Sequence, residues 1–389
     1  MPAMEQISDP LARFRAAAGL REAAGLKRAL RARTPDDDGL IDLASNDYLG
    51  LARDGRLVEA AAAATRTWGT GSTGSRLVTG STALHAELEA RLCAFTRAAG
   101  ALVFSSGYLA NLAAVATLGR DALVVSDAGN HASIVDACRL SRSRVVVTPH
   151  KDVAAVEKAL ADRDEEHAIV VTDAVFSVDG DLAPLEDLHA AAVRQGALLV
   201  VDEAHSIGVI GPSGQGAVYA AGLAAEPDVV RTITLSKSLG SQGGAVLGAP
   251  EVIETLIDTG RSFIFDTGLA PGSVAAALSA VDILHNQPEL PGRVRTRARE
   301  LASMARELGL ETVDPAGAVV PILLGPPETA LRAALICAER GVRAGCFRPP
   351  SVPTGRSCLR LTARANLSSD DLTVTRGALT AVAEMKVTK

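Results

Sequence analysis

Between residues 100 and 250 the chain repeats one device: a short run of apolar, mostly branched residues, a helical segment, then another such run. The runs fall at 101–104, 123–125, 145–147, 169–172, 198–201, 233–235 and 245–247. A strand apolar at every position is covered on both faces. Alternating strands and helices therefore predict a mostly parallel sheet sandwiched between helices, an α/β architecture. Ligands of such sheets collect beyond the carboxyl ends of the strands. Two runs end in reactive groups there. Residues 198–201 lead into Asp202-Glu203-Ala204-His205, and 232–235 lead into Ser236-Lys237. The Gly- and Ala-rich stretch between them is long enough for a crossover back to the same sheet. An acid and a lysine on one rim suit a cofactor with a basic ring nitrogen at one end and an aldehyde at the other.

The outer parts of the chain are organised differently. Residues 10–33 read as a helix with Leu11, Phe14, Ala18 and Leu26 near one face, and 41–44 as a short strand ending in the polar turn 45–50. An alanine-rich helix at 58–67 precedes a glycine-rich loop, after which Ser81 can cap a helix carrying Leu84, Leu88, Leu92 and Phe95. Residues 271–308 read as helical with a break near Pro288 and Pro291, followed by strand (319–324), helix (329–340), strand (358–362) and helix. We expect three units: 1–50, an N-terminal helix and short strand; 51–285, a large α/β domain; and 286–389, a small α+β domain.

Composition removes several classes of function. Net charge is −6 with no basic stripe, which argues against nucleic acid as a partner. No apolar run reaches the eighteen or so residues of a membrane span, and no export signal is evident, so a cytoplasmic location is expected. Cys93, Cys138, Cys337, Cys346 and Cys358 form no C-x-x-C pair and are expected to be reduced thiols, with no metal site. Gly69-x-Gly71-x-x-Gly74 spells the dinucleotide fingerprint but follows a helix instead of a strand. Asp202-Glu203-Ala204-His205 spells a helicase signature, yet the chain has no Gly-Lys pair to form a phosphate loop.

Lysine is scarce, with six in the chain, so Lys237 after a buried strand stands out. Burial beside a cation can lower its pKa from about 10.4 and free the amine for imine chemistry. Asp202 could hold a pyridine nitrogen protonated, or only cap the next turn. His205 could contact the ring oxygen of the same cofactor, or serve the core. The passage from 104 through Ser105-Ser106-Gly107-Tyr108 is a strand-to-helix turn whose free N–H groups suit a phosphate, although it also describes any well-capped helix. His131 opens another helix and could stack on a flat ring, and Ser177 sits in a turn after a strand. Arg360, between Leu359 and Leu361, wants a carboxylate partner, either structural or the substrate's.

These stretches, in this order, resemble the α-oxoamine synthase family of pyridoxal 5'-phosphate (PLP) enzymes. The motifs carrying the likeness are 45–50 (SNDYLG), 73–76 (TGSR), 104–108 (FSSGY), 131–133 (HAS), 175–181 (VFSVDGD), 201–205 (VDEAH), 234–237 (TLSK) and 348–353 (RPPSVP). The resemblance implies a fold-type I large domain with the small C-terminal domain, and a homodimer with active sites at the subunit interface. It assigns catalysis to Lys237, His131 and Asp202, and cofactor binding to Gly107, Tyr108, His131, Ser177, Asp202, His205, Thr234 and Lys237. Substrate binding would fall to Arg28 (or its neighbour Lys27), Asn46, His131, Ser351 and Arg360. The implied reaction is the decarboxylative condensation of L-alanine with pimeloyl-CoA or pimeloyl-acyl-carrier protein, a step of biotin synthesis. The alternative is a sister reaction of glycine or serine with another acyl-CoA. Asp173 and Ser351 stand where relatives often carry glutamate and threonine, and Ser206 where glycine is frequent.

Overall fold

The structure, a computed structural model, describes residues 9–28, 30, 32, 34 and 39–387. Strands are numbered in chain order: β1 Ile41–Leu43, β2 Gly100–Phe104, β3 Ala122–Asp127, β4 Val145–Thr148, β5 His167–Asp173, β6 Leu198–Asp202, β7 Val229–Thr234, β8 Gly244–Gly248, β9 Val319–Gly325, β10 Val342–Phe347 and β11 Ser357–Thr362. All seven predicted central runs are strands. They form one sheet in the order β2-β8-β7-β6-β5-β3-β4, parallel except for β8, which runs antiparallel to both neighbours. Successive side chains of a strand point to opposite faces. Leu123, Val125, Leu199 and Val201 therefore pack under one helical layer, and Val124, Ile169, Val171 and Val200 under the other. Each such aliphatic side chain contributes roughly 1.5–3 kcal/mol through burial.

Register sets the working edge. Asp173 of β5 lies opposite Asp202 of β6, and Asp202 opposite Thr232 of β7, so three polar side chains stand abreast at the carboxyl ends. Behind them, Glu203 and Arg231 form a fully buried ion pair at 2.6 Å. Arg231 also donates to the carbonyls of Thr96 and Gln215, while Glu203 accepts from Ser206 and the Val218 amide. The glutamate of the helicase-like tetrad is thus a structural counter-ion with its lone pairs used.

A second sheet has the order β1-β10-β11-β9. β1 pairs in parallel with β10, far along the chain, and the turn after it is held by Thr362 Oγ1 on the Ser45 carbonyl and the Ala365 amide on the Tyr48 carbonyl. The helices Pro271–Asn286 and Leu290–Glu307 break at 287–289, next to the predicted prolines, and share a core with this sheet. Among the described residues no helix is long and apolar enough to cross a membrane.

Two expectations need correction. The first helix is Ala12–Ala23, shorter than the expected 10–33, of which 29, 31 and 33 lie outside the described residues. Gly25 at φ +65° lets the Leu26 amide bond back to the Arg21 carbonyl and ends it, a glycine stop the periodicity concealed. Its apolar stripe is also uncovered, with Leu11 and Phe14 each 55% exposed. The helix after the glycine-rich loop is capped by Thr82 instead of Ser81, with His85 Nδ1 accepting the Thr82 amide at 3.2 Å.

Candidate active site

The rim is assembled around Asp202. Asn111, on the helix Gly107–Leu118, donates from Nδ2 to Asp202 Oδ2 at 2.7 Å and to Ser133 Oγ at 2.9 Å. Thr232 Oγ1 donates to Asn111 Oδ1 at 2.6 Å, which fixes the side-chain amide's orientation. The Ala204 amide binds Asp202 Oδ1 at 2.8 Å. A carboxylate offers about four lone-pair directions. Two remain for a ligand.

Lys237 follows β7 through Ser236. Its Nζ lies 2.7 Å from His205 Nε2, and His205 Nδ1 lies 2.6 Å from the hydroxyl of Tyr48, a fully buried residue. Burial lowers the Lys237 pKa to about 8; Arg360 pushes it the same way, while Asp202 and Asp173 oppose. His205 is driven well below the ordinary histidine value, by burial first and then by Lys237 and Arg360. Near neutrality its ring is neutral, able to donate from one nitrogen and accept at the other.

Asp202, His205, Lys237, His131, Thr234, Gly107 and Tyr108 line one cavity of about 240 Å³. Of the residues expected to hold a cofactor, Ser177 alone is not in its wall. The space suits PLP chemically. The carboxylate of Asp202 can accept a hydrogen bond from a pyridinium N–H, and His205 Nε2 lies in the same wall to contact a phenolic oxygen. The amine of Lys237 can meet an aldehyde, and the first free amides of the helix at Gly107 and Tyr108 can take a phosphate. Gly107 keeps that approach open, because a Cβ would sit 3.0 Å from the Cβ of Thr234 and crowd it. His131 caps the helix Ala132–Ser141. Its Nδ1 accepts the Ser133 amide at 3.3 Å, and burial lowers its pKa, leaving a neutral ring in the wall. Asp173 is a third buried acid. Its Oδ2 has no partner, and burial, with Asp202 beside it, raises its pKa well above the usual carboxylate value.

Arg360, on β11, donates to the Ser177 carbonyl at 2.8 Å and to Asn46 Oδ1 at 2.5 Å, and stacks over the Phe347 ring with its carbon 4.6 Å from the centroid. Its partners are a carbonyl and an amide oxygen instead of the expected carboxylate, and its buried Nε has none. Asn46 Oδ1 also accepts the Tyr48 hydroxyl at 3.1 Å. One chain of contacts thus runs from Lys237 through His205, Tyr48 and Asn46 to Arg360 and Phe347.

Phe347 is also in the wall of a second, larger cavity of about 840 Å³. There Arg28 Nη2 reaches Ser351 Oγ at 3.3 Å, while Lys27 turns to Glu22 at 2.8 Å. Of the two neighbouring cations, Arg28 is the one on the Arg-Pro-Pro turn's serine. Leu26, Leu331 and Leu335 supply apolar wall.

Sequence reasoning missed Tyr48, Asn111 and Asp173. Tyr48 fell inside a motif already quoted and Asn111 three residues beyond another, but nothing local shows that either side chain points at His205 or Asp202. Asp173 ends a strand as Asp202 does, a signal that was present and went unused.

The class I and II aminotransferase family model matches residues 38–379. An 8-amino-7-oxononanoate synthase from Mycolicibacterium gilvum is 60% identical over 363 residues, 93% of this chain and 94% of its own. Among solved structures, a serine palmitoyltransferase variant from S. paucimobilis with bound PLP-myriocin aldimine superposes with a TM-score of 0.90 at 29% identity, covering 98% of this chain and 100% of that one. An 8-amino-7-oxononanoate synthase from Francisella tularensis gives 0.77 at 26% identity over 90% and 100% of the two chains. The match spans both sheets and the whole rim between them, and the chain belongs to the class I and II aminotransferase family.

Proposed function

We propose that this chain is a PLP-dependent acyltransferase of biotin synthesis. It would join L-alanine to a pimeloyl thioester with release of CO2 and the thiol carrier, giving 8-amino-7-oxononanoate. The observation that carries this reading is the single cavity in which Lys237 and Asp202 both stand, in a chain 60% identical to a curated enzyme of that name.

When bound, PLP supplies an aldehyde for imine exchange and a protonated ring that accepts the electron pair left at the amino acid's α-carbon. The protein's residues do the rest. Asp202, oriented by Asn111 and the Ala204 amide, keeps the ring nitrogen protonated. Lys237, with its pKa near 8, removes the proton from the α-carbon as a free amine and later returns one. His205 contacts the phenolic oxygen, and His131 covers the ring. Gly107, Tyr108 and Thr234 lie at the phosphate end, and Ser177 acts through its carbonyl. Arg360, with an unused Nε, and Asn46 receive the amino acid's carboxylate. Arg28 and Ser351 face the acyl thioester in the larger cavity, whose leucines suit a methylene chain.

The protein is proposed to act in the cytoplasm as a homodimer. Leu77, Val78 and Phe265, near the bridge between Ser75 and Thr267, stay 52%, 79% and 71% exposed, a surface that a second copy would cover. The function is tested by offering L-alanine, glycine and L-serine against pimeloyl-, acetyl- and palmitoyl-CoA and recording thiol release. Turnover should require alanine with the pimeloyl thioester. Faster turnover of glycine or serine with another thioester would move the chain to a sister reaction. Pockets discriminate one methyl by only about 1–3 kcal/mol, so rates need comparing, not mere detection.

A further inference from the structure

Outside the cavity wall, one cluster of charged groups acts on it. The turn between β5 and the next helix is closed by the Phe176 amide on the Asp181 carbonyl (3.0 Å), the Gly180 amide on the Phe176 carbonyl (2.9 Å) and a bridge between Val175 and Leu182. One side of this turn faces the second sheet. The Ser177 carbonyl accepts from Arg360, and Asp179 accepts from Arg356 at 2.9 Å. The other side faces His150, in the loop after β4. His150 Nε2 lies 3.0 Å from Asp181 Oδ2 and its Nδ1 lies 2.9 Å from Asp127 Oδ1, at the end of β3. The imidazole meets the Phe176 ring edge-on at 4.2 Å between centroids. Lys151 adds a contact from Nζ to Asp181 Oδ2 at 2.6 Å and one from its amide to Asp127 Oδ2 at 2.7 Å.

We propose that His150 is a positioning residue for amino-acid recognition: it pins the 175–182 turn to β3, so that the Ser177 carbonyl holds the Arg360 guanidinium aimed at the substrate carboxylate. The argument is geometric. A guanidinium has five donors in a rigid fork, and the carbonyl that occupies one arm decides where the others point. That carbonyl belongs to a turn with no regular ladder beyond its single bridge, so its place depends on what grips its sides. On the side away from the arginines, that grip is an imidazole shared between two carboxylates. A doubly charged-assisted bridge needs protons on both ring nitrogens. The groups facing His150 are Asp127 and Asp181, which favour its protonation, and Lys151, which opposes it. Their balance raises its pKa against the pull of burial and lowers that of Asp181.

The inference rests on Arg360 as the carboxylate-binding residue, and the test separates the two. In the PLP-loaded enzyme, His150→Gln should raise the KM for L-alanine about tenfold, the scale expected when a binding group is misplaced by a fraction of an ångström. Its kcat and its affinity for PLP should change less than about twofold. The wild-type KM should climb as pH rises through the His150 pKa, read independently by NMR titration, and that inflection should vanish in the variant. Arg360→Lys alone should also raise the alanine KM, and adding His150→Gln to it should cost little more. An unchanged KM in Arg360→Lys overturns the carboxylate assignment itself. A raised KM there with an unchanged one in His150→Gln, or a fall of kcat and stability without a KM change, overturns the clamp alone. Should His150→Gln not fold, Asp127→Asn, which removes one arm of the bridge, is held to the same KM outcome.

Discussion

Lys237 Nζ and His205 Nε2 stand 2.7 Å apart, so the amine has the imidazole as its hydrogen-bonding neighbour in the wall of one cavity. The neighbour is held from behind by Tyr48 and is neutral near pH 7. Burial therefore brings the Lys237 pKa down to about 8, within reach of neutral pH, without a dedicated base.

Capture of PLP by the apo-protein should accelerate with pH and level off above about 8, because only the free amine attacks and its pKa is lowered to that value. Asp202 raises that pKa and Arg360 lowers it. Asp202→Asn should move the midpoint down in pH, and Arg360→Gln should move it up. Stopped-flow absorbance across a pH series reads all three, and a wild-type midpoint near 10.5 would contradict the assignment.

Tyr48→Phe keeps the buried ring and removes the hydroxyl that satisfies His205 Nδ1. A buried polar atom left without its partner costs about 1–3 kcal/mol. The apo-protein should lose thermal stability accordingly and bind PLP more weakly, as seen in melting curves and a cofactor titration. Equal melting and equal affinity would remove Tyr48 from the site.

Asp173 and Asp202 stand side by side in register but should respond oppositely to the same change. Burial raises the Asp173 pKa well above the usual carboxylate value and so favours its neutral form, which Asp173→Asn mimics, and turnover should stay within about threefold. Asp202→Asn removes the charge facing the ring nitrogen and should reduce kcat by at least about a hundredfold, the equivalent of roughly 3 kcal/mol. Steady-state rates of the two variants decide this.

Removing one partner of the Glu203–Arg231 pair leaves a charge stranded in the core. Glu203→Ala should destabilise the protein by about 3–5 kcal/mol although Glu203 touches no ligand. Denaturant melting shows it. A loss below about 1 kcal/mol would mean that Arg231 finds another partner.

In the larger cavity, Arg28→Ala should raise the KM for the acyl thioester with little effect on the KM for L-alanine, while Lys27→Ala should change neither. The difference follows from Arg28 reaching Ser351 and Lys27 turning to Glu22. Parallel KM measurements for both substrates separate them.

Much of this protein is legible from its residues in order. The central strands, the acid and lysine at their ends, and the strand-to-helix turn at Ser106-Gly107 are local patterns, because a strand's burial and a helix's first turn depend on neighbours in sequence. The same local logic overran the first helix, where a single glycine at positive φ ended what periodicity continued. It also missed β10, whose Arg343, Gly345 and Cys346 give no clean alternation and which is a strand because β1 and β11 pair with it on either side. What Tyr48 touches, which cation reaches Ser351, and which carbonyl accepts from Arg360 were decided by the packing of segments up to 323 residues apart. Those contacts carry no signature in any one stretch of chain. Side-chain direction across a sheet edge is fixed by register and by whatever packs against it, and both exist only once the whole chain has folded.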